Sequence, residues 1–157
     1  MTMTTDLPGV EEVGTSGTWH LPGQIDRETG RPRVTPVQGR FIGMASSQRE
    51  DHNRHTFHSD KYVSKGERCS ACRWSVFRVF CEEGGGYTIH HAGMSVVPGE
   101  TTRYRYERVR TAYEVVESMT TRRNKQAFLT VAAARVLAQC AAYDVPLRDA
   151  YENRAVG

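Results

Sequence analysis

The chain has no apolar run approaching the length of a membrane span. A helix needs about 20 consecutive apolar residues to cross a bilayer. Its first residues, Met-Thr-Met-Thr-Thr-Asp, lack the basic and apolar regions of a secretory signal, so a cytoplasmic location is expected. It has no phosphate-cradling P-loop, no dinucleotide fingerprint and no internal repeats, which removes the usual signatures of nucleotide-dependent chemistry. Hydrophobic residues are scarce, at 38%, and so low a share predicts that part of the chain stays unpacked. Cysteine is sparse as well. In an intracellular protein its four cysteines are expected to be free or metal-bound rather than paired. Charge of either sign is not in large excess: the formal balance is +3, compatible with nucleic acid but not diagnostic of it.

What is present starts with Cys69 and Cys72, two residues apart, below the histidines His52, His55 and His58. Thiolate and neutral imidazole both suit tetrahedral zinc. Ten residues separate His58 from Cys69, enough to close a loop on one ion. The expected ligands are Cys69, Cys72, His55 and His58, with His52 as a substitute for either histidine. Such a zinc would be structural and would staple the polar loop 47–72, which is otherwise long for a compact domain. Cys81, His90 and His91 are weaker candidates, read as a buried thiol and core histidines. Cys140 lies in an Ala-rich helix and reads as core.

The length of 157 residues favours one domain, expected over 39–157. Residues 1–38 are rich in Gly, Pro and Thr without apolar periodicity, and predict a flexible or extended arm. Trp19 interrupts that arm as an anchor for the protein's own core or for a partner. Residues 40–46 predict a short strand. Residues 73–81 are β-branched and aromatic, and 87–92 return after Glu82-Glu83-Gly84-Gly85-Gly86, so a hairpin is expected. Its odd positions Phe77, Val79, Cys81, Tyr87 and Ile89 share one face, and its even positions Trp74, Val76, Phe80 and Met94 share the other. Both faces are apolar, so each needs a cover. A helix is expected from Thr102 to Thr120, with Tyr106, Val109, Ala112, Tyr113, Val116 and Met119 as its core stripe. A basic connection, 121–125, follows it. A second helix is expected from Val131 to Tyr143 with Thr130 as N-cap, and Pro146 starts a last short helix through Tyr151. The expected fold is α+β: a small, mainly antiparallel three-stranded sheet against two main C-terminal helices, with a zinc-knuckle-like loop and an extended N-terminal arm.

Between Arg103 and Lys125 there are seven basic and three acidic residues. Helix-spaced pairs such as Arg103–Glu107 account for some of them as a solvated surface. Arg105, Arg108, Arg122, Arg123 and Lys125 remain as candidate phosphate contacts. A catalytic reading has less support. The pair His90-His91 before a helix superficially fits nucleases of the His-Asn-His type, but the segment from Ala92 to Glu100 has no Asn and the following helix no His.

The run Gly66-Glu67-Arg68-Cys69-Ser70-Ala71-Cys72-Arg73-Trp74, with Val97-Pro98-Gly99-Glu100, resembles small uncharacterised proteins of actinomycetes and their phages, over roughly residues 40–152. The resemblance implies no established activity and no assigned functional residues. A phage context would imply an accessory role, such as inhibition of a host defence complex. The function expected from the residues is a non-enzymatic, zinc-stapled binding module that engages nucleic acid or a nucleoprotein complex. The runner-up is an inhibitor of a host defence complex working by protein contact alone; the outsider is a metal-dependent nuclease.

Overall fold

The computed structural model describes residues 7–48, 73–95 and 99–154. Five antiparallel strands form its centre: β1 Ser16–Ile25, β2 Pro32–Ser46, β3 Arg73–Glu82, β4 Tyr87–Ser95 and β5 Arg103–Val109, ordered as a simple meander. A two-stranded sheet pairs β6 Thr121–Arg123 with β7 Gln126–Phe128. Three helices follow β5: α1 Ala112–Met119, α2 Val131–Ala141 and α3 Val145–Glu152. The large sheet curls into a half-barrel. Its two edges approach each other across a seam, where the His90 Nε2–H of β4 donates to the Pro22 carbonyl of β1 at 2.8 Å and Thr35 Oγ1 of β2 donates to the Tyr106 hydroxyl of β5 at 2.9 Å.

The expected three-stranded sheet is therefore corrected to five strands, and the expected arm supplies β1 and the first half of β2. Glycine and proline concealed these strands. Pro22 adjoins a register shift in β1, and β1 is an edge strand, where a missing N–H leaves no gap in a ladder. The 15-residue β2 pairs with β1 through 32–40 and with β3 through 39–46. Pro32 and Pro36 fall where β2 is paired on one side only, which the same rule permits. Gly39 sits at the crossover between partners, where a Cβ would collide with the Cys81 backbone.

The helix expected from Thr102 to Thr120 is also corrected: its first half is β5 and its second half α1. Arg103-Tyr104-Arg105-Tyr106 alternates with period two, and the stretch pairs with β4 in unbroken antiparallel register. Thr111 then starts α1, its Oγ1 accepting the Glu114 N–H at 3.1 Å. Consequently Tyr106 and Tyr113 lie 40% and 65% exposed rather than in a core stripe. Further on, Thr130 caps α2 through the Ala133 N–H at 3.2 Å, as its sequence predicts. Asp144 caps α3 through the Leu147 N–H at 3.0 Å and also accepts from the Tyr87 hydroxyl at 2.7 Å, tying the helices to β4.

The β3–β4 hairpin divides its faces as predicted, with Arg78 opposite His90, and each apolar face is covered. On one face Val79, Tyr87, Ile89 and Val109 pack under Val115, Val116, Val136 and Leu137 of the helix layer. The helices come close at Gly43, where a Cβ would collide with the Cys140 sulfur and lie 3.0 Å from the Val136 carbonyl oxygen. On the concave face Leu21, Val37, Phe41 and Phe80 are fully buried. Phe41 and Phe80 stack at 5.1 Å, and Trp19 tilts against both at 5.8 Å. The Trp19 Nε1–H donates to the Gly39 carbonyl at 3.0 Å.

Candidate nucleic-acid interface

The expected basic connection 121–125 is a β-hairpin. Its register is Arg123↔Gln126, Arg122↔Ala127 and Thr121↔Phe128, leaving Asn124 and Lys125 as a two-residue turn. Both have positive φ, 52° and 63°, the combination a type I′ turn requires and the one matched to strand twist. Asn enters the left-handed region readily, but Lys there opposes a steric cost of about 1 kcal/mol. Asn124 and Lys125 are the non-glycine residues with positive φ among those described. Arg122, Arg123, Lys125 and Gln126 are exposed. The Arg122 guanidinium donates to Glu117 on α1 at 2.9 Å, while Arg123 and Lys125 have no ion-pair partner among the described residues.

The route of the chain brings α1 back beside β5 before this hairpin begins. Ser118 Oγ donates to Glu107 on β5 at 2.5 Å, so α1 runs back along the strand it follows. Thr121 is three Cα steps beyond Ser118, within about 11 Å. Arg105 lies two residues from Glu107 on the same face of β5, since side chains alternate along a strand. It is exposed, has no ion-pair partner among the described residues, and stands opposite His91. His91 bonds through Nε2 to Ser75 Oγ at 2.9 Å, and its ring lies 4.9 Å from Phe77. Burial, and secondarily the Arg105 charge, lower the His91 pKa. Arg108 has the opposite parity and faces the other side, where it meets Glu82 at 3.0 Å. Of the five predicted phosphate contacts, Arg122, Arg123 and Lys125 thus share one hairpin, while Arg105 and Arg108 lie on opposite faces of β5.

The predicted zinc ligands Cys69, Cys72, His52, His55 and His58 lie outside the described residues. The described chain nonetheless holds the two ends of that loop together. The Ser47 N–H donates to the Ser75 carbonyl at 2.9 Å, and the Ser75 N–H donates to Ser47 Oγ at 2.8 Å. Arg73 donates through Nε and Nη2 to Glu100, which also accepts from Ser95 Oγ at 2.6 Å. These bonds hold the Glu100 carboxyl down to about 2, Arg73 contributing most. Among the described residues no group of three or more His, Cys, Asp or Glu is arranged to hold a metal.

His90 and His91 point to opposite faces of β4, so they cannot share one ion. His90 is fully buried, and burial holds its pKa down to about 4, with Arg78 adding a smaller push in the same direction. Among the described residues its Nδ1 has no hydrogen-bond partner. The Arg78 Nε–H donates to the Pro8 carbonyl at 2.8 Å. The Cys81 and Cys140 thiols are free, and burial raises the pKa of both, the reverse of an activated nucleophile. Trp19, the predicted partner anchor, is half-buried in the concave cluster.

Comparison of the chain with protein-family models, with curated proteins and with solved structures gives no match. No helix among the described residues is long and apolar enough to cross a membrane. Two exposed residues of the hairpin, Gln126 and Phe128, escaped the sequence reading. The available signal was Asn124, a residue that favours the left-handed turn, between short runs with no other role.

Proposed function

We propose that the protein is a non-enzymatic nucleic-acid-binding module and that β6–β7 is its phosphate-contacting element, with Arg105 of β5 as a further cation. The observation that carries this reading is the display of Arg122, Arg123 and Lys125 around one two-residue turn, with Lys at a position where glycine is the unstrained choice. Backbone strain retained at an exposed position points to use of the side chain. Cations of this kind bind phosphate chiefly by displacing counterions, so affinity falls steeply with salt. The test is a salt titration of oligonucleotide binding by the wild type and by Arg122→Ala with Arg123→Ala. The double variant should bind more weakly to many sequences alike, with a log–log salt slope flatter by nearly one unit per lost contact. Absence of binding at low salt would discard the reading.

The zinc staple belongs to the same proposal and rests on Cys69, Cys72 and the three upstream histidines. A site closed by four protein ligands leaves no position for substrate, so the metal would act through folding of the loop whose ends Ser47 and Arg73 hold. Metal analysis should give about one equivalent of zinc, released in Cys69→Ser. Protein contact alone is the second reading, favoured by Phe128 and Val131, which lie 44% and 69% exposed. Binding of that kind would be much less sensitive to salt.

A further inference from the structure

We infer that the outer face of the β6–β7 hairpin holds an unpaired base, so that the nucleic acid this protein takes is single-stranded. The inference rests on the phosphate-binding reading above and adds to it the identity of the ligand. It starts from the register. Arg122 and Ala127 are paired and share one face of the ribbon, while Thr121, Arg123, Gln126 and Phe128 share the other. Arg122 is bonded to Glu117 of α1, which turns its face toward the helix layer. The opposite face is therefore the outward one. It presents a cation, a carboxamide and an aromatic ring, all exposed, with Phe128 at 44%.

The spacing suits one nucleotide and its neighbour. Gln126 and Phe128 lie two residues apart on one strand, so their side chains rise from the same side about 7 Å apart. Arg123 stands directly across from Gln126, with Cβ atoms about 5 Å apart. A ring offers a π-face to any base, an amide both donates to and accepts from a base edge, and a guanidinium bridges phosphate. In a duplex both faces of each internal base are occupied by its neighbours in the stack, so Phe128 would have nothing to cover. An unpaired base leaves a face free. A ribbon of two three-residue strands cannot bury a phenyl ring by itself, and the adjacent cations make a polyanion the complementary occupant.

The experiment uses the full chain and fluorescein-labelled 12-mers of deoxythymidine, of uridine and of a DNA duplex, followed by anisotropy at two salt concentrations. The wild type should bind both single strands more tightly than the duplex. Phe128→Ala should lower single-strand affinity about tenfold with an unchanged salt slope, because stacking releases no counterions, and Phe128→Tyr should restore it. The melting temperature of both variants should stay near that of the wild type, since the ring is exposed. Equal affinity for duplex and single strand, or no effect of Phe128→Ala, would overturn the inference while leaving phosphate binding intact. A salt slope unmoved by Arg122→Ala with Arg123→Ala would instead overturn the underlying reading, whatever Phe128 does. If no probe binds the wild type at low salt, both fall and Phe128 belongs to a protein contact.

Discussion

The β3–β4 and β6–β7 hairpins solve the same geometric problem with opposite chemistry. β3–β4 is long, turns through glycines at 85 and 86 with φ of 100° and 87°, and is apolar on both faces. One face packs under the helices and the other closes around Phe41 and Trp19. β6–β7 has three residues per strand, turns through Asn and Lys, and exposes five polar side chains. A hairpin that builds the core uses glycine where φ is positive, because nothing is asked of the turn side chain. A hairpin that keeps lysine there accepts strain to hold a charge in the solvent. The contrast separates a part of the molecule that is buried from a part that is exposed.

The largest effect should come from the buried hairpin. Phe80 is fully buried against Phe41 and Trp19, and Phe80→Ala should destabilise by about 3–5 kcal/mol through lost transfer and a residual cavity. Phe77, on the helix-bearing face, is only half-buried, so Phe77→Ala should cost less. Urea unfolding of the two variants checks the order. If Phe77→Ala proved the more damaging, the concave cluster would be the softer of the two layers.

A smaller effect tests the seam that closes the concave side. The His90 pKa falls from 6.5 to about 4 on folding, so between these values the unfolded chain binds a proton that the folded chain refuses. The contribution is present in full above pH 6.5 and is lost as pH falls to about 4, by about 3 kcal/mol. Arg78 across the strand and His91 beside it both disfavour a second charge. His90→Gln keeps a donor for the Pro22 carbonyl but does not titrate. Its unfolding midpoint should change less between pH 7 and 4.5 than that of the wild type, with His91 supplying a residual slope of the same sign. Equal pH dependence in both proteins would show that His90 is protonated in place.

The same contrast explains which elements the sequence announced. Residues 73–81 and 87–92 are β-branched and aromatic runs joined through three glycines, so the pairing of Arg78 with His90 follows from counting. Thr130 and Pro146 mark the starts of α2 and α3 by cap and ring chemistry that depends on neighbours only. β1 and β2 were hidden because their prolines and glycines are tolerated by one-sided pairing, a property of the sheet and not of the segment. In β5, Val109 also fits the helical stripe that Ala112, Val116 and Met119 continue, and only the β4 ladder decides between the periods. Of the candidate interface, the cations Arg122, Arg123 and Lys125 were legible as composition. Their arrangement was not, because strands of three residues carry no periodicity.

The finest test of the contrast exchanges the turn chemistry of the two hairpins at one position. Lys125→Gly gives β6–β7 the Asn-Gly pair that type I′ turns favour. The folded state should gain up to about 1 kcal/mol from relief of the left-handed backbone, offset in part by the greater freedom of glycine in the unfolded chain. Stability should therefore stay level or rise slightly, which removes unfolding as an explanation for any loss of binding. The charge is gone, however, and the log–log salt slope for an oligonucleotide should flatten by about one unit, the release expected for one phosphate contact. Lys125→Arg keeps both strain and charge and should retain the wild-type slope. A glycine variant that is more stable and binds with unchanged slope would show that the strain at residue 125 serves no contact, and the division between a buried hairpin and a displayed one would lose its functional meaning.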